Sequence, residues 1–241
     1  MARKSGSVPK YFQISRDIIS RIQSRALLPG ARVPSENEII AKYKVSNTTA
    51  RKALQEIEQG GWARRVKGKG TYVRDNRVDR SATRILGFTR NMLEAGRRPS
   101  TKLLRVRIVK SSHSLTINRR RYSLRGPYCE IQRLRYADGV PMMKEVRCIS
   151  TRLCPGIEKK DLEGSLYQIY ERDYGIQLME IAQVLSAVIL EGEELAWFEV
   201  EKPIPAFRVE GVTFCGRELI LEMENSLYRG DMYNFLVKAT P

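Results

Sequence analysis

Two helix-start signals lie one after the other near the N-terminus, and they constrain the fold of this region most strongly. Ser35 is followed three positions later by Glu38, so its hydroxyl can accept from the Glu38 backbone while the glutamate reaches back. Ser46 is placed to cap another helix, which a glycine pair ends. The sequence predicts a short helix, a tight connection and a second helix. An amphipathic helix over 11–22 precedes them.

The helix after Ser46 has two chemically different faces. At 100° per residue, its small and apolar residues fall on one side: Ala50, Ala53, Leu54 and Ile57. Hydroxyl, amide and cationic side chains fall on the other: Thr48, Arg51, Lys52 and Gln55. This pattern fits a helix-turn-helix whose second helix enters the major groove of DNA. It also fits an ordinary helical hairpin with a solvated polar face.

The residues after the glycine pair decide between these two interpretations. Segments 62–66 and 71–73 have the composition of short strands, and Lys67-Gly68-Lys69-Gly70 joins them. Glycine supplies positive φ and lets the backbone approach a phosphate closely, while the two lysines place positive charge at the tip. The hairpin is therefore interpreted as a wing, and the N-terminal region as a winged helix-turn-helix.

Charge is distributed unevenly along the chain. The 43 Lys and Arg residues exceed the 27 Asp and Glu residues, for a formal net charge of +16. Residues 1–80 and 81–150 carry +11 and +12, whereas residues 151–241 carry −7. A basic half beside an acidic half indicates a polyanionic partner met on one side. The alternative is a generally solvated basic surface.

Three motifs within residues 9–74 resemble the GntR family of bacterial transcription regulators. They are Pro29-Gly30-x-Arg32-x-Pro34-Ser35-Glu36-x-Glu38, Val45-Ser46-x-Thr48-x-x-Arg51-Lys52-Ala53-Leu54 and Gly68-x-Gly70-Thr71-x-Val73. The resemblance implies contacts to operator DNA from the start of helix two, the recognition helix and the wing: Arg32, Ser46, Asn47, Thr48, Arg51 and Gly68. Charge adds Lys52, Lys67 and Lys69 to this set. The family most often has arginine where Asn47 stands, and asparagine suits a bidentate contact with adenine.

The rest of the chain predicts a second domain of α+β class. Residues 75–84 are polar and charged and are interpreted as a linker between residues 1–74 and 85–241. Apolar alternation or β-branched content predicts strands over 103–109, 128–136, 142–149, 179–189, 207–214 and 219–228. Helices are expected over 162–174 and 193–199. With little sign of βαβ repetition, the pattern favours a sheet domain.

A second resemblance covers about residues 85–237. Its motifs are Arg133-Leu134-Arg135-x-x-Asp138-Gly139-x-Pro141-x-x-x-Glu145, Ser165-Leu166-Tyr167 with Tyr174-Gly175, and Tyr228-Arg229-Gly230-Asp231-x-Tyr233-x-Phe235. They resemble the UTRA effector domain of the HutC subfamily of GntR regulators. The resemblance implies an antiparallel-sheet fold similar to chorismate lyase, a ligand cleft in each subunit and a homodimer, without implying lyase activity.

The predicted effector site centres on two arginines of one strand. Arg133 and Arg135 are two positions apart and point to the same face, where they repel each other unless an anion or a carboxylate lies between them. Glu145 is a possible internal partner, and an exposed pair on an open sheet is the alternative. Ser165 and Tyr167 offer hydroxyl donors for a phosphate, carboxylate or sugar, although Ser165 also suits a plain helix cap.

Four further positions complete this predicted site. Thr89 and Arg90 lie in the segment Gly87-Phe88-Thr89-Arg90, which resembles the family's phosphate-facing helix start, and a plain N-cap is the alternative. Glu222 and Tyr228 are six residues apart on a late strand and therefore on the same side. They are expected either to close the cleft or to line the sheet.

Composition excludes several other functions. The four cysteines lack CxxC spacing and are expected to be reduced and mostly in the core, while His113, the only histidine, stands in an expected loop. No metal site, cofactor or catalytic residue is predicted. The longest apolar run, 182–190, is too short to span a bilayer, and the segment after Met1 has no apolar signal core, so we expect a cytoplasmic protein.

The sequence thus predicts a homodimeric, sequence-specific DNA-binding regulator. It is expected to be a repressor released from a palindromic operator by a small anionic metabolite, such as a sugar phosphate or a carboxylate. The alternatives are a small-molecule enzyme of chorismate-lyase-like fold and a nonspecific nucleic-acid-binding protein. The absence of histidine from the cleft motifs disfavours the enzyme.

Overall fold

The computed structural model describes residues 8–24, 26–75 and 77–238. The chain divides into two compact units, the first ending at Arg77 and the second beginning at Val78. This boundary falls inside the segment 75–84 for which the sequence predicted a linker. Residues from Val78 onward are instead part of the second unit.

Three helices build the first unit: α1 (Lys10–Gln23), α2 (Glu36–Tyr43) and α3 (Asn47–Gln59). Their apolar faces meet in one core, which contains Ile14, Ile18, Ile39, Ala50, Ala53, Leu54 and Ile57. The predicted amphipathic stripe of α1 and the small-residue face of α3 are therefore both buried. The opposite face of α3 is left to solvent.

Both predicted helix caps are present. Ser35 forms the capping box, since its hydroxyl accepts from the backbone N–H of Glu38 while its own N–H donates to the Glu38 carboxylate at 2.7 Å. The Ser46 hydroxyl accepts from the N–H of Thr49. Lys44, at φ 52°, makes the turn between α2 and α3.

The wing is an antiparallel hairpin of β1 (Ala63–Val66) and β2 (Gly70–Val73). Arg32 joins its open edge through an isolated antiparallel bridge with Tyr72. Arg32 therefore lies in an extended segment beside the wing, not at the start of α2 as the sequence suggested, because the capping box delays that helix until Glu36.

The second unit is built around six long strands and short helices. In chain order its elements are β3 (Val78–Ser81), α4 (Phe88–Glu94), β4 (Pro99–Val109), β5 (His113–Ile117), β6 (Arg120–Leu124), β7 (Tyr128–Ala137), β8 (Val140–Ser150), α5 (Leu166–Tyr174), β9 (Glu180–Leu190), α6 (Glu194–Trp197), β10 (Ile204–Gly216), β11 (Leu219–Arg229) and β12 (Tyr233–Leu236). No helix among the described residues has the length and apolar character needed to cross a membrane.

The central sheet has the strand order β4-β7-β8-β11-β10-β9, and every neighbouring pair is antiparallel. All six strands predicted from the sequence are therefore present. One face packs against α5 through a core that includes Cys129, Ile131, Ile169 and Tyr170. The hairpin of β5 and β6 contributes Ile117 and Leu124 to another core with Met223.

Two small pairings differ from the sequence prediction. His113 begins β5, which pairs with β6, so it does not stand in a loop. Residues 78–81, expected within a linker, form β3 and pair in parallel with β12. Cys129, Cys148 and Cys154 are buried, Cys215 is half-buried, and all four are free thiols, in keeping with the expected core role.

Candidate functional site

The outer face of α3 and the wing tip form one exposed polar surface of the first unit. Asn47, Thr48, Arg51 and Lys52 are exposed along α3, and residues 67–69 are exposed at the tip. Ser46 is exposed as well, although its hydroxyl is engaged by Thr49 as the helix cap. The side chains expected to contact DNA thus lie on solvent-facing positions of α3 and of the wing.

Arg51 is held in place by Glu36, a residue that the sequence motifs did not single out as functional. Its Nε and Nη2 donate to the two Glu36 carboxylate oxygens at 3.4 and 3.3 Å. Arg65 of β1 lies 3.9 Å from the same carboxylate. Glu36 therefore bridges the recognition helix and the wing from the first turn of α2.

These residues border a broad concavity of about 580 Å³. Its lining includes Arg32, Glu36, Asn37, Arg51, Gln55 and Arg65. Asn37 was not predicted as a site residue, and it adds an amide at the start of α2. A concavity lined by guanidinium and amide groups suits nucleic-acid bases and phosphates.

The lysines of the predicted set lie at the wing tip and on α3, and the lysine on α3 also contacts α1. Lys67 and Lys69 have no ion-pair partner among the residues that the structure describes. The Lys52 ammonium on α3 lies 4.2 Å from the centre of the Tyr11 ring, a cation–π contact directed toward α1. Gly70 has φ 121°, and a Cβ there would lie 3.0 Å from Arg32 Nε, so a glycine lets Arg32 pack against the wing.

The second candidate site is a buried arginine cluster on the central sheet. Arg133 of β7 stands directly opposite Glu145 of β8. Its guanidinium donates to the Glu145 carboxylate from both Nε, at 2.8 Å, and Nη2. Its Nη1 donates to the carbonyls of Leu162 and Gly164 at 2.7 and 3.1 Å. Four of the five N–H groups of Arg133 are therefore used, two on Glu145 and two in holding the segment before α5 against the sheet.

Arg135 is less completely partnered than Arg133. It donates to the Thr89 hydroxyl at 2.8 Å and to the Gly164 carbonyl at 3.3 Å. Its Nε is buried and has no hydrogen-bond partner among the described residues, and its guanidinium lies 4.7 Å from the centre of the Phe88 ring. Burial lowers the pKa of Arg135 to about 10, and Glu145 only partly offsets this effect. Arg135 is thus a buried cation whose Nε–H is not paired by any described residue.

Glu145 is the carboxylate that separates the arginines. Burial alone would raise its pKa, but Arg133, Arg147 and Arg135 hold that pKa well below the ordinary range. Arg147, which the sequence analysis did not include, donates from Nε to Glu145 at 3.1 Å. Glu145 is therefore ionised and shared among three guanidiniums.

A cavity of about 20 Å³ lies at this cluster, which is room for about one water molecule. It brings together six predicted residues: Thr89, Arg133, Arg135, Glu145, Ser165 and Tyr167. Ser165 also caps α5 by accepting from the N–H of Gln168 at 3.4 Å, so its plain structural role is present too. The enclosed space fits a small polar group rather than a whole metabolite.

Arg90 points away from this cavity. Its side chain is 73% exposed and pairs with Glu94 one turn later on α4 at 3.2 Å. Thr89 and Arg90 are adjacent on the helix and so diverge by about 100°. Only Thr89 reaches Arg135, and the structure separates Arg90 from the other predicted effector residues.

Glu222 and Tyr228 lie in a buried network behind the cavity. Glu222 accepts from Tyr170 at 2.5 Å, from Arg147 at 2.7 Å and from Thr213 at 3.3 Å. Burial raises its pKa more than Arg147 lowers it. The Tyr228 hydroxyl donates to Glu224 at 3.2 Å. Neither residue is among those that line the cavity: Glu222 contacts Arg147, which does line it, and Tyr228 is linked to Arg147 through Glu224.

In this chain a winged helix-turn-helix unit is followed by an antiparallel-sheet unit with a buried arginine site. This architecture is typical of transcription regulators that combine a DNA-binding unit with a second domain. The UTRA domain model matches residues 94–234, and the model described as bacterial regulatory proteins of the gntR family matches residues 10–73. The chain belongs to the GntR family with a UTRA domain. It is a transcriptional repressor of the HutC type and not an enzyme.

Known proteins resemble nearly the whole chain. It is 26% identical over 238 residues to the transcriptional repressor NagR of Bacillus subtilis, covering 97% of this chain and 96% of NagR. It is 24% identical over 221 residues to the histidine utilization repressor of Pseudomonas putida, covering 88% and 85%. The crystal structure of PhnF from Mycobacterium smegmatis shares the fold, with a TM-score of 0.59, 21% identity and coverage of 97% and 100%.

Proposed function

We propose that the protein binds a palindromic operator as a homodimer and that a small anionic metabolite, bound at the arginine cluster of the second unit, releases it. The two recognition helices of such a dimer read equivalent half-sites. The protein acts in the cytoplasm, where a bacterium keeps its DNA. The proposed DNA contacts are the predicted set, namely Arg32, Ser46, Asn47, Thr48, Arg51, Lys52, Lys67, Gly68 and Lys69, with Asn37 added from the concavity.

The spare donor of Arg135 is the observation that carries the anion proposal. A buried N–H without a partner costs free energy, and an anionic oxygen would both satisfy Nε and stabilise the charged guanidinium. The cavity lining also carries an excess of positive charge, since Arg133, Arg135 and Arg147 line it together with the single carboxylate of Glu145. Glu222 and Glu224 pair with Arg147 outside this lining. A phosphate or carboxylate group matches this excess.

The size of the cavity adds a conformational requirement. A metabolite needs a few hundred Å³, whereas the present space is about 20 Å³. Thr89 and the carbonyl of Gly164 both contact Arg135 and close the site from two sides. We infer that the effector enters when these two segments separate, and that its anionic group takes over their hydrogen bonds.

A thermal-shift screen tests the anion site. Inorganic phosphate, sugar phosphates and small carboxylates are added to the wild type, to Arg135→Met and to the matched control Arg90→Met. A ligand that binds only the folded state raises Tm by mass action. We expect shifts in the wild type and in Arg90→Met that are lost in Arg135→Met. Equal shifts in all three proteins would contradict the site.

Selection from a random duplex pool tests the DNA half of the proposal. We expect the wild type to enrich one inverted repeat and to bind it in the presence of excess bulk DNA, with two protomers per duplex measured by sedimentation. Enrichment of no sequence would instead favour nonspecific nucleic-acid binding. One protomer on a non-repeated site would contradict the dimer and the palindrome.

A further inference from the structure

Strand β3 is the first element of the second unit that the chain reaches after the DNA-binding unit. It is short and is held by parallel pairing with β12. Its ends are fixed by the Val78 N–H, which donates to the Met232 carbonyl at 2.7 Å, and by the Ala82 N–H, which donates to the Leu236 carbonyl at 2.9 Å. Because β3 begins one residue after Arg77, where the first unit ends, it is the part of the second unit that is nearest to the DNA-binding unit along the chain.

Arg80 extends from β3 into the second unit. Its Nη1 donates to the hydroxyl of Tyr228, a buried residue of β11. The same guanidinium lies 4.8 Å from the centre of the Tyr228 ring and 5.6 Å from that of Phe235 on β12. These contacts hold a cation of the connecting strand among the aromatic side chains of two others.

A continuous chain of charged and hydrogen-bonded contacts leads from Arg80 to the arginine cluster. The Tyr228 hydroxyl donates to Glu224 at 3.2 Å, and Glu224 lies 3.2 Å from Arg147 Nη1. Arg147 in turn donates to Glu145, the carboxylate that Arg133 and Arg135 share. Every link is buried or half-buried, so solvent screens these interactions weakly.

We propose that Arg80 is a positioning residue that couples occupancy of the arginine cluster to strand β3, through Tyr228, Glu224 and Arg147. The inference rests on the proposed anion site. An anion at Arg135 competes with Glu145 for the guanidiniums, and Glu145 then binds Arg147 more closely. The ion pair between Arg147 and Glu224 weakens as a result. The Glu224 carboxylate then interacts more strongly with the Tyr228 hydroxyl and, through it, with Arg80. The pairing of β3 with β12 changes as Arg80 is drawn inward.

Hydrogen exchange of the β3 amides tests this coupling with inorganic phosphate as the probe. Exchange at residues 78–82 is measured in the full-length wild type, in Arg80→Met and in Arg84→Met, with and without phosphate at a concentration that saturates the thermal shift. Arg84 is an exposed arginine close by in the sequence, paired with Glu94 at 3.5 Å, and is the matched control.

We expect phosphate to slow exchange at 78–82 at least threefold in the wild type and in Arg84→Met. Arg80→Met should still show the phosphate thermal shift but no change in β3 exchange. Because Arg80→Met could disturb folding, Glu224→Gln is a second variant that interrupts the same series of contacts without changing a residue of β3. In it we also expect phosphate to leave the β3 exchange rates unchanged. A merely structural role for Arg80 would alter exchange without phosphate and leave the response in place.

The outcomes separate this inference from the proposed function. If phosphate binds the wild type and leaves β3 exchange unchanged, or if Arg80→Met and Glu224→Gln keep the full response, the coupling is wrong and the anion site stands. If phosphate does not bind the wild type, the anion site is overturned together with the coupling that depends on it.

Discussion

Glu36, at the start of α2, accepts two hydrogen bonds from the side of the Arg51 guanidinium on the recognition helix. The Nε and one Nη2 hydrogen are used at 3.4 and 3.3 Å. Among the residues that the structure describes, Nη1 and the second Nη2 hydrogen have no side-chain partner and remain for a base edge, the geometry that a bidentate contact requires. The carboxylate also repels phosphates from this part of the surface.

Glu36→Gln should lower sequence discrimination while raising nonspecific affinity. Without the negative charge of Glu36, Arg51 can turn toward phosphates. Because Arg51 is then no longer held in place, its base contact weakens, and such a contact is worth about 1–3 kcal/mol in other complexes. We expect the ratio of specific to nonspecific affinity to fall roughly tenfold, measured by fluorescence anisotropy on the selected duplex and on a scrambled duplex. Glu58→Gln, at the edge of the same concavity, is the control. A parallel change in both affinities would refute the positioning role.

Lys67→Ala and Lys69→Ala should each weaken binding to every duplex by a similar factor. A phosphate contact carries no sequence information, and its loss reduces the slope of log K against log salt concentration by about 1. Titration at several salt concentrations, on the selected and scrambled duplexes, measures this slope. An unchanged slope would show that the wing tip does not contact the DNA backbone.

Gly70→Ala should reduce DNA affinity more than Gly68→Ala. Both glycines have positive φ, so alanine strains the backbone at either position, by roughly 1 kcal/mol near the left-handed φ of 75° at Gly68 and by more at the φ of 121° at Gly70. Only at Gly70 would the new Cβ meet a side chain, lying 3.0 Å from Arg32 Nε. Displacement of Arg32 should therefore appear as a loss of DNA affinity beyond the loss for Gly68→Ala. Equal losses would remove Arg32 from the proposed DNA contacts.

Glu145→Gln should destabilise the second unit at neutral pH and destabilise it less in acid. Leaving three buried guanidiniums without their shared carboxylate costs about 3 kcal/mol. The pKa of Glu145 is lowered in the folded state, so its contribution is present above its unfolded pKa of about 4.3 and is lost as pH falls through the folded value. Urea unfolding should show a smaller difference between the wild type and the variant at pH 3 than at pH 7, without the difference vanishing, because pH 3 lies between the unfolded and the folded pKa of Glu145. A constant difference would mean that Glu145 is not held ionised.

Local signals explain which parts of the fold the sequence could predict. Ser35 and Glu38 form a capping box only three positions apart, and the residues that mark β7 and β8 as strands lie within each strand. By contrast, β3 has four residues and its partner β12 begins at Tyr233, so neither an apolar pattern nor a nearby turn marks it. Its cation Arg80 made the segment resemble a solvated linker.

The candidate sites were predictable where a motif or a two-residue period applied. Arg133, Arg135 and Glu145 meet because β7 and β8 are directly paired. Arg147 lies two positions after Glu145 on the same face, so the rule that linked Arg133 to Arg135 also finds it. Glu36 follows the capping serine and therefore reads as an ordinary first-turn acidic residue. Its contacts with Arg51 of α3 and Arg65 of the wing appear only when these elements pack together.

The most direct test of effector release is a reciprocal titration. The affinity of the wild type for the selected duplex is measured with and without a saturating ligand from the thermal-shift screen, and the affinity of that ligand is measured with and without the duplex. Linkage requires both affinities to fall by the same factor, typically 5- to 150-fold. Ligand binding at Arg135 that leaves the DNA affinity unchanged would contradict release by the effector.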